Sequence, residues 1–181
     1  MTATTAVTMK RSVWFEDSTD AGREPIPAGL DEITPGPVLA ALLSTIDVST
    51  LSGYDRVTVL KAHQRMASHY SGAVLDGIAA IADEYEDTDL GFRGELDPLR
   101  GTSAEVRTAL HLTRRAADDA LALALHLRDR LPRVRTWLLR GDIDVLRARV
   151  IADGTEHLSP SAARRVVEAL AERVHRLTTG Q

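Results

Sequence analysis

Apolar residues recur along this chain at intervals of three and four, and no alternating run is long enough to build a sheet. The longest such stretch begins after Ser52, which reads as an N-cap with Asp55 three residues on as a capping-box acid. From there the pattern predicts one helix over about 53–86, with an apolar stripe of Val57, Leu60, Ala67, Tyr70, Val74, Ile78, Ile81 and Tyr85. At about 1.5 Å per residue such a helix spans roughly 50 Å. Gly72 and Gly77 each weaken it by up to about 1 kcal/mol relative to Ala, which a kink or the close approach of a second helix would explain.

Shorter periodic segments surround it. Residues 1–34 are polar, irregular and interrupted by Gly22, Pro25, Pro27 and Gly29, and read as a flexible N-terminal arm ending in a docking segment. Pro35, Gly36 and Pro37 open a short apolar helix over 38–43. Gly91, Gly94, Pro98 and Gly101 mark a loop over 87–101. Five further helices are predicted, at about 103–111, 114–130, 132–139, 142–153 and 160–177. Pro132 ends one and starts the next, Gly141 and Gly154 are candidate C-caps, and Ser159 followed by Pro160 is an N-cap with proline at the first helical position. The fold class is all-α: a multi-helix bundle with one long helix, forming a single helical domain over 35–181.

Composition agrees with that picture and removes several chemistries. The 181 residues suit one domain, and with 44% hydrophobic but only 4% aromatic residues the core must be built from Ala, Leu, Val and Ile. The absence of cysteine excludes disulfides, thiolate zinc sites, iron–sulfur clusters and thiol nucleophiles. No apolar run approaches the roughly 20 residues of a membrane helix, and Met1 to Lys10 lack a signal-peptide profile, so a cytoplasmic location and no membrane partner are expected. The net charge of −4 averages two unlike halves: residues 1–100 carry 8 basic and 16 acidic side chains, residues 101–181 carry 14 and 10. Within the domain, then, 35–100 is the acidic half and 101–181 the basic one. They form either a basic binding face or two halves that neutralise each other on folding. Lys10 and Lys61 are the only lysines, and no Gly-rich loop ends in Lys-Ser or Lys-Thr, which excludes a P-loop.

Candidate catalytic residues are scarce. His63, His69, His111, His126, His157 and His175 are scattered, with no pair at the spacing of a helical zinc site. The acids Asp83, Glu84, Glu86, Asp87 and Asp89 could hold a hard cation, but their spacing is not that of a calcium loop, and solvation, or pairing with the arginine-rich half, is the simpler reading. No serine sits in a nucleophile elbow. The chain is therefore expected to be no enzyme by itself, with no catalytic, cofactor-binding or metal-binding residue.

The most suggestive stretch is the helix-turn-helix-like segment over about 103–130. A first helix, a turn at Leu112 and Thr113, and a second helix capped by Thr113 would pack through Val106, Leu110, Leu112, Ala117 and Leu121. Two positions depart from the motif: Arg107 stands where a small residue is usual, and His111 replaces the turn glycine. The second helix starts with Arg114 and Arg115, placed to meet phosphate or base edges, although Asp118 and Asp119 offer each a partner four residues on. A DNA-reading pair and a plain helical hairpin both fit. A second cluster, Arg128, Arg130, Arg133 and Arg135, either meets phosphate or pairs with the acidic half. The nucleic-acid candidates are thus Arg107, Arg114, Arg115, Arg128, Arg130, Arg133 and Arg135.

Residues Glu105 to Ala117 (Glu-Val-Arg-Thr-Ala-Leu-His-Leu-Thr-Arg-Arg-Ala-Ala), with Leu131-Pro-Arg-Val134, Leu139-Arg-Gly-Asp-Ile143 and Ala148-Arg-Val-Ile-Ala152, resemble the actinobacterial domain of unknown function 222. This is the mycobacterial 13E12 repeat family, whose longer members carry a C-terminal HNH endonuclease domain. The resemblance covers roughly Leu51 to Leu177. It implies a helical region that accompanies a metal-dependent DNA-cutting module, with duplex DNA as partner. The chain up to Gln181 has neither the zinc-holding cysteines nor the paired histidines of that module, so no nuclease residue carries over, the HNH domain is expected to be absent, and any divalent metal would belong to it. The competing expectation is a protein-interaction or oligomerisation scaffold that self-associates through the long helix.

Overall fold

The structure, a computed structural model, describes residues 26–87 and 98–176. Among these residues seven α-helices follow in order: α1 Pro37–Ser44, α2 Gly53–Asp87, α3 Pro98–Ala109, α4 Arg114–Leu125, α5 Pro132–Leu139, α6 Val145–Thr155 and α7 Pro160–Leu170. No strand occurs among the described residues. The chain is an all-α bundle arranged along the 35-residue α2.

Helix α2 starts where the sequence says it should. Ser52 Oγ accepts from the Asp55 backbone N–H at 3.1 Å and donates to the Asp55 carboxylate at 2.7 Å. The face it buries is not the one the apolar stripe predicts. Val57, Leu60, Tyr70 and Val74 are 51%, 67%, 57% and 48% exposed, and of the eight stripe residues only Ile78 is fully buried. The buried hydrophobic residues are Val59, Ala62 and Met66 in the first half and Leu75, Ile78, Ala79 and Ala82 in the second. Met66 and Leu75 are nine residues apart, about two and a half turns, which sets them on opposite sides of the helix. A helix that serves two cores on opposite sides cannot show one continuous stripe.

The two cores are separate. One holds Leu30, Leu39, Leu43 and Leu51 against Val59, Ala62 and Met66. It draws in Ile26 and Ile33, and Arg65 donates to the Asp31 carbonyl, so residues 26–34 pack as part of the fold rather than as a free arm. The reason is Leu30, which is completely buried. The remainder of the expected arm, 1–25, lies outside the described residues, as do 88–97 with Asp89. The second core runs from Leu75 to Val174 and gathers Val106, Ala117, Leu121, Leu127, Val134, Trp137, Leu138 and Ile143 among others.

Between the cores, α5 and the turn after it lie against α2. A Cβ on Gly72 would come within 2.9 Å of Leu139 Cδ2, and His69 Nδ1 is 2.7 Å from the Leu139 carbonyl oxygen. Close helix approach thus accounts for Gly72, whereas Gly77 has nothing within 4 Å of its Cβ position. Gly141 ends α5 as expected, with φ 73°, Gly141 N–H donating to Leu138 O at 3.0 Å and Asp142 N–H to Trp137 O at 2.9 Å.

Other boundaries move. Helix α3 begins at Pro98 and contains Gly101, which the sequence places in a loop; glycine is there because the Tyr85 ring lies 2.7 Å from its Cβ position. Gly154 stays inside α6 instead of ending it. The helix expected over 114–130 is α-helical to Leu125 and then widens into a π turn, His126–Arg130, closed by Leu131 N–H to His126 O at 3.1 Å ahead of Pro132.

Candidate nucleic-acid interface

Helices α3 and α4 form a hairpin packed through Val106, Ala117 and Leu121, with Leu112 at its margin. Leu110, expected in that packing, is exposed instead. The turn closes as a helix cap: Leu112 N–H donates to Arg107 O at 3.0 Å, and His111 takes φ 53°, the left-handed conformation usual for glycine. Thr113 then caps α4, its Oγ1 accepting from Ala116 N–H at 3.2 Å. Arg114 and Arg115 follow at once, so the cap fixes both at the exposed start of the helix.

These two arginines are exposed. Their side chains are 76% and 93% exposed, and each faces its carboxylate four residues on, Asp118 and Asp119, at 3.9 Å. That distance is outside hydrogen-bonding range, so the pairing is loose. Arg107 on α3 is also exposed, and its side chain has no ion-pair or hydrogen-bond partner among the described residues.

The second cluster is arranged otherwise. Arg128 binds Asp83 on α2 and chelates Asp129 at 2.6 and 3.0 Å. Arg130 gathers the carbonyls of Thr155, Glu156 and Leu158 at 3.3, 3.3 and 2.6 Å, closing the end of α6. Arg133 meets both oxygens of Glu168 at 2.5 and 2.6 Å and lies over the Trp137 ring. Arg135 grips both oxygens of Asp76 at 2.5 and 2.8 Å, a contact that raises its pKa further above the ordinary arginine value. All four therefore tie helices together, two of them across to acids of α2.

A cleft opens between α3 and the start of α4. It has a volume of about 210 Å³ and is lined by Arg100, Ser103, Ala104, Arg107, Arg114 and Asp118. Arg100, Ser103, Ala104 and Arg107 are one stripe of α3 at helical spacing, with small residues between the two arginines. Sequence reasoning missed Arg100, because Gly101 beside it reads as loop. The signal that could have found it is the seven-residue interval to Arg107.

Among the histidines, His63, His111 and His157 are exposed. His126 is half-buried, its Nε2 without a partner among the described residues, and burial, reinforced by Arg130, pushes its pKa down against the weaker pull of Glu156 and Asp153.

The fold and this hairpin define an all-α module with an arginine-lined helix pair on its surface. The chain belongs to the DUF222 family, described only as a domain of unknown function, whose model matches residues 79–180. The match starts later than the sequence resemblance suggests. It begins within the second half of α2 and follows the second core, leaving α1 and the first core outside. No curated protein and no solved structure matches the chain. No described helix is long and apolar enough to cross a membrane.

Proposed function

We propose that this chain is a non-catalytic helical module that assists the binding or positioning of duplex DNA through the α3–α4 hairpin. The observation that carries the reading is the sorting of the arginines. Arg128, Arg130, Arg133 and Arg135 are engaged by partners on other elements of the fold, whereas Arg107, Arg114 and Arg115 stand exposed on one hairpin. Cations at the start of a helix oppose its dipole, so their position does nothing for α4 itself and suits an external anion. The link to DNA cutting rests on the resemblance to helical regions that accompany HNH nucleases. In this reading the chemistry and its divalent metal reside in that nuclease.

Binding to a short duplex across a salt series tests the proposal. Arg114→Ala/Arg115→Ala should weaken binding and lower the slope of log K against log salt by about 0.9 for each phosphate no longer neutralised. An unchanged affinity and slope would exclude this pair as the DNA-binding surface.

A second reading is favoured by the exposed apolar stripe of α2, in which Val57, Leu60, Tyr70 and Val74 remain uncovered. Here the chain is a self-associating scaffold with no nucleic-acid role. Sedimentation across a concentration series decides it: a Leu60→Glu-sensitive dimer supports the scaffold, and a monomer at high concentration removes it.

A further inference from the structure

We infer that the cleft between α3 and α4 is a seat for one phosphate group, and that Asp118 is the resident negative charge that an incoming phosphate must displace. Three arginines, Arg100, Arg107 and Arg114, line the cleft together with one acidic residue, Asp118. Ser103 and Ala104, the lining residues of α3 between Arg100 and Arg107, are small. Asp118 occupies the position of an anion. It accepts a hydrogen bond from the Ser103 hydroxyl and faces Arg114 Nε at 3.9 Å. Arg114 is thus held near a negative charge without being bound by it.

A phosphate offers what Asp118 does not. Its tetrahedral oxygens accept from several guanidinium groups together, and the bidentate geometry of arginine suits them. The first turn of α4 adds its own positive field at the same place. Asp118 opposes entry by like-charge repulsion and by holding the Ser103 donor. The carboxylate therefore sets a threshold: only a ligand that engages at least two of the arginines displaces it.

The source of the phosphate, a DNA backbone or a free phosphate-bearing ligand, is the one point that rests on the DNA reading. Two probes separate them: inorganic phosphate, followed through the arginine Nε–Hε signals by NMR, and a short duplex at fixed salt. Asp118→Asn keeps an acceptor for Ser103 and removes the charge. It should tighten binding of both probes about three- to tenfold. Arg107→Ala, at an exposed position without a side-chain partner among the described residues, should weaken both by a similar factor while leaving the fold intact. If the duplex binds but neither substitution alters its affinity, the seat is wrong while the hairpin reading stands on Arg114 and Arg115. Phosphate binding without duplex binding would keep the seat and remove DNA as its source. Binding of neither probe by either the natural chain or Asp118→Asn overturns both.

Discussion

Arg135→Ala is the substitution that best tests the division of the arginines. The Arg135 guanidinium joins α5 to α2 by two hydrogen bonds to Asp76, at 2.5 and 2.8 Å. Hydrogen bonds to charged groups contribute about 1.5–3 kcal/mol. The two side chains are 41% and 32% exposed, so solvent screening reduces that figure, and a cost of about 1–2 kcal/mol is expected. For a chain of this size the midpoint of thermal unfolding should fall by about 3–6 °C. Arg114→Ala/Arg115→Ala supplies the contrast. Its two loose, exposed pairs contribute about 0.3–0.5 kcal/mol each, and removing cations from the start of α4 returns part of that, so stability should stay within about 0.5 kcal/mol. Urea unfolding followed by circular dichroism measures both. A double-mutant cycle with Asp76→Ala should give a coupling of about 1 kcal/mol. The reasoning fails if Arg135→Ala lies within about 0.3 kcal/mol of the natural chain, or if the Arg114/Arg115 pair costs more than Arg135.

Three further outcomes follow from local geometry. Gly141→Ala should destabilise by more than about 2 kcal/mol, because φ is 73° and the Arg65 carbonyl oxygen lies 2.8 Å from the new Cβ, while Gly77→Ala, with open space around it, should stabilise by up to about 1 kcal/mol; denaturant midpoints rank the two. His111→Gly should stabilise by about 0.5–1 kcal/mol by relieving the left-handed conformation, and a drop in stability would mean that the imidazole makes an interaction worth more than the strain. Since the pKa of His126 is lowered in the fold, its contribution to stability is complete above its unfolded value near 6.5 and is lost as pH falls through the folded value. His126→Gln should flatten that part of the stability–pH curve, and an unchanged slope between pH 7 and 5 would contradict the assignment.

Much of this fold is legible in the sequence where a residue has one possible local role. Pro132 and Gly141 bracket α5 as expected, and the Ser52, Thr113 and Ser159 caps each receive the backbone N–H three residues on. Misreadings arise where a residue answers to a distant neighbour. Gly101 looks like a helix breaker until the Tyr85 ring is seen above it, and moving it into α3 is what brings Arg100 into the cleft. The stripe of α2 fails for the same reason, since two cores divide its faces. The acidic and basic halves suggest mutual neutralisation. Which acid meets which arginine (Asp76 with Arg135, Asp83 with Arg128) depends on helix packing that no local pattern encodes.

The nine-residue interval between Met66 and Leu75 makes α2 an indexing shaft. Angular phase along a helix is counted in whole residues, so one residue inserted or deleted there turns the first core by about 100° relative to the second. The same step would carry Arg65 away from Gly141, while its tie to Asp31, which lies on the same side of the interval, would turn with it. Seven residues, close to two full turns, would restore the phase and only lengthen the shaft. Within this interval a change of length alters which sides of α2 meet the two cores, whereas a substitution at an exposed position leaves both in place.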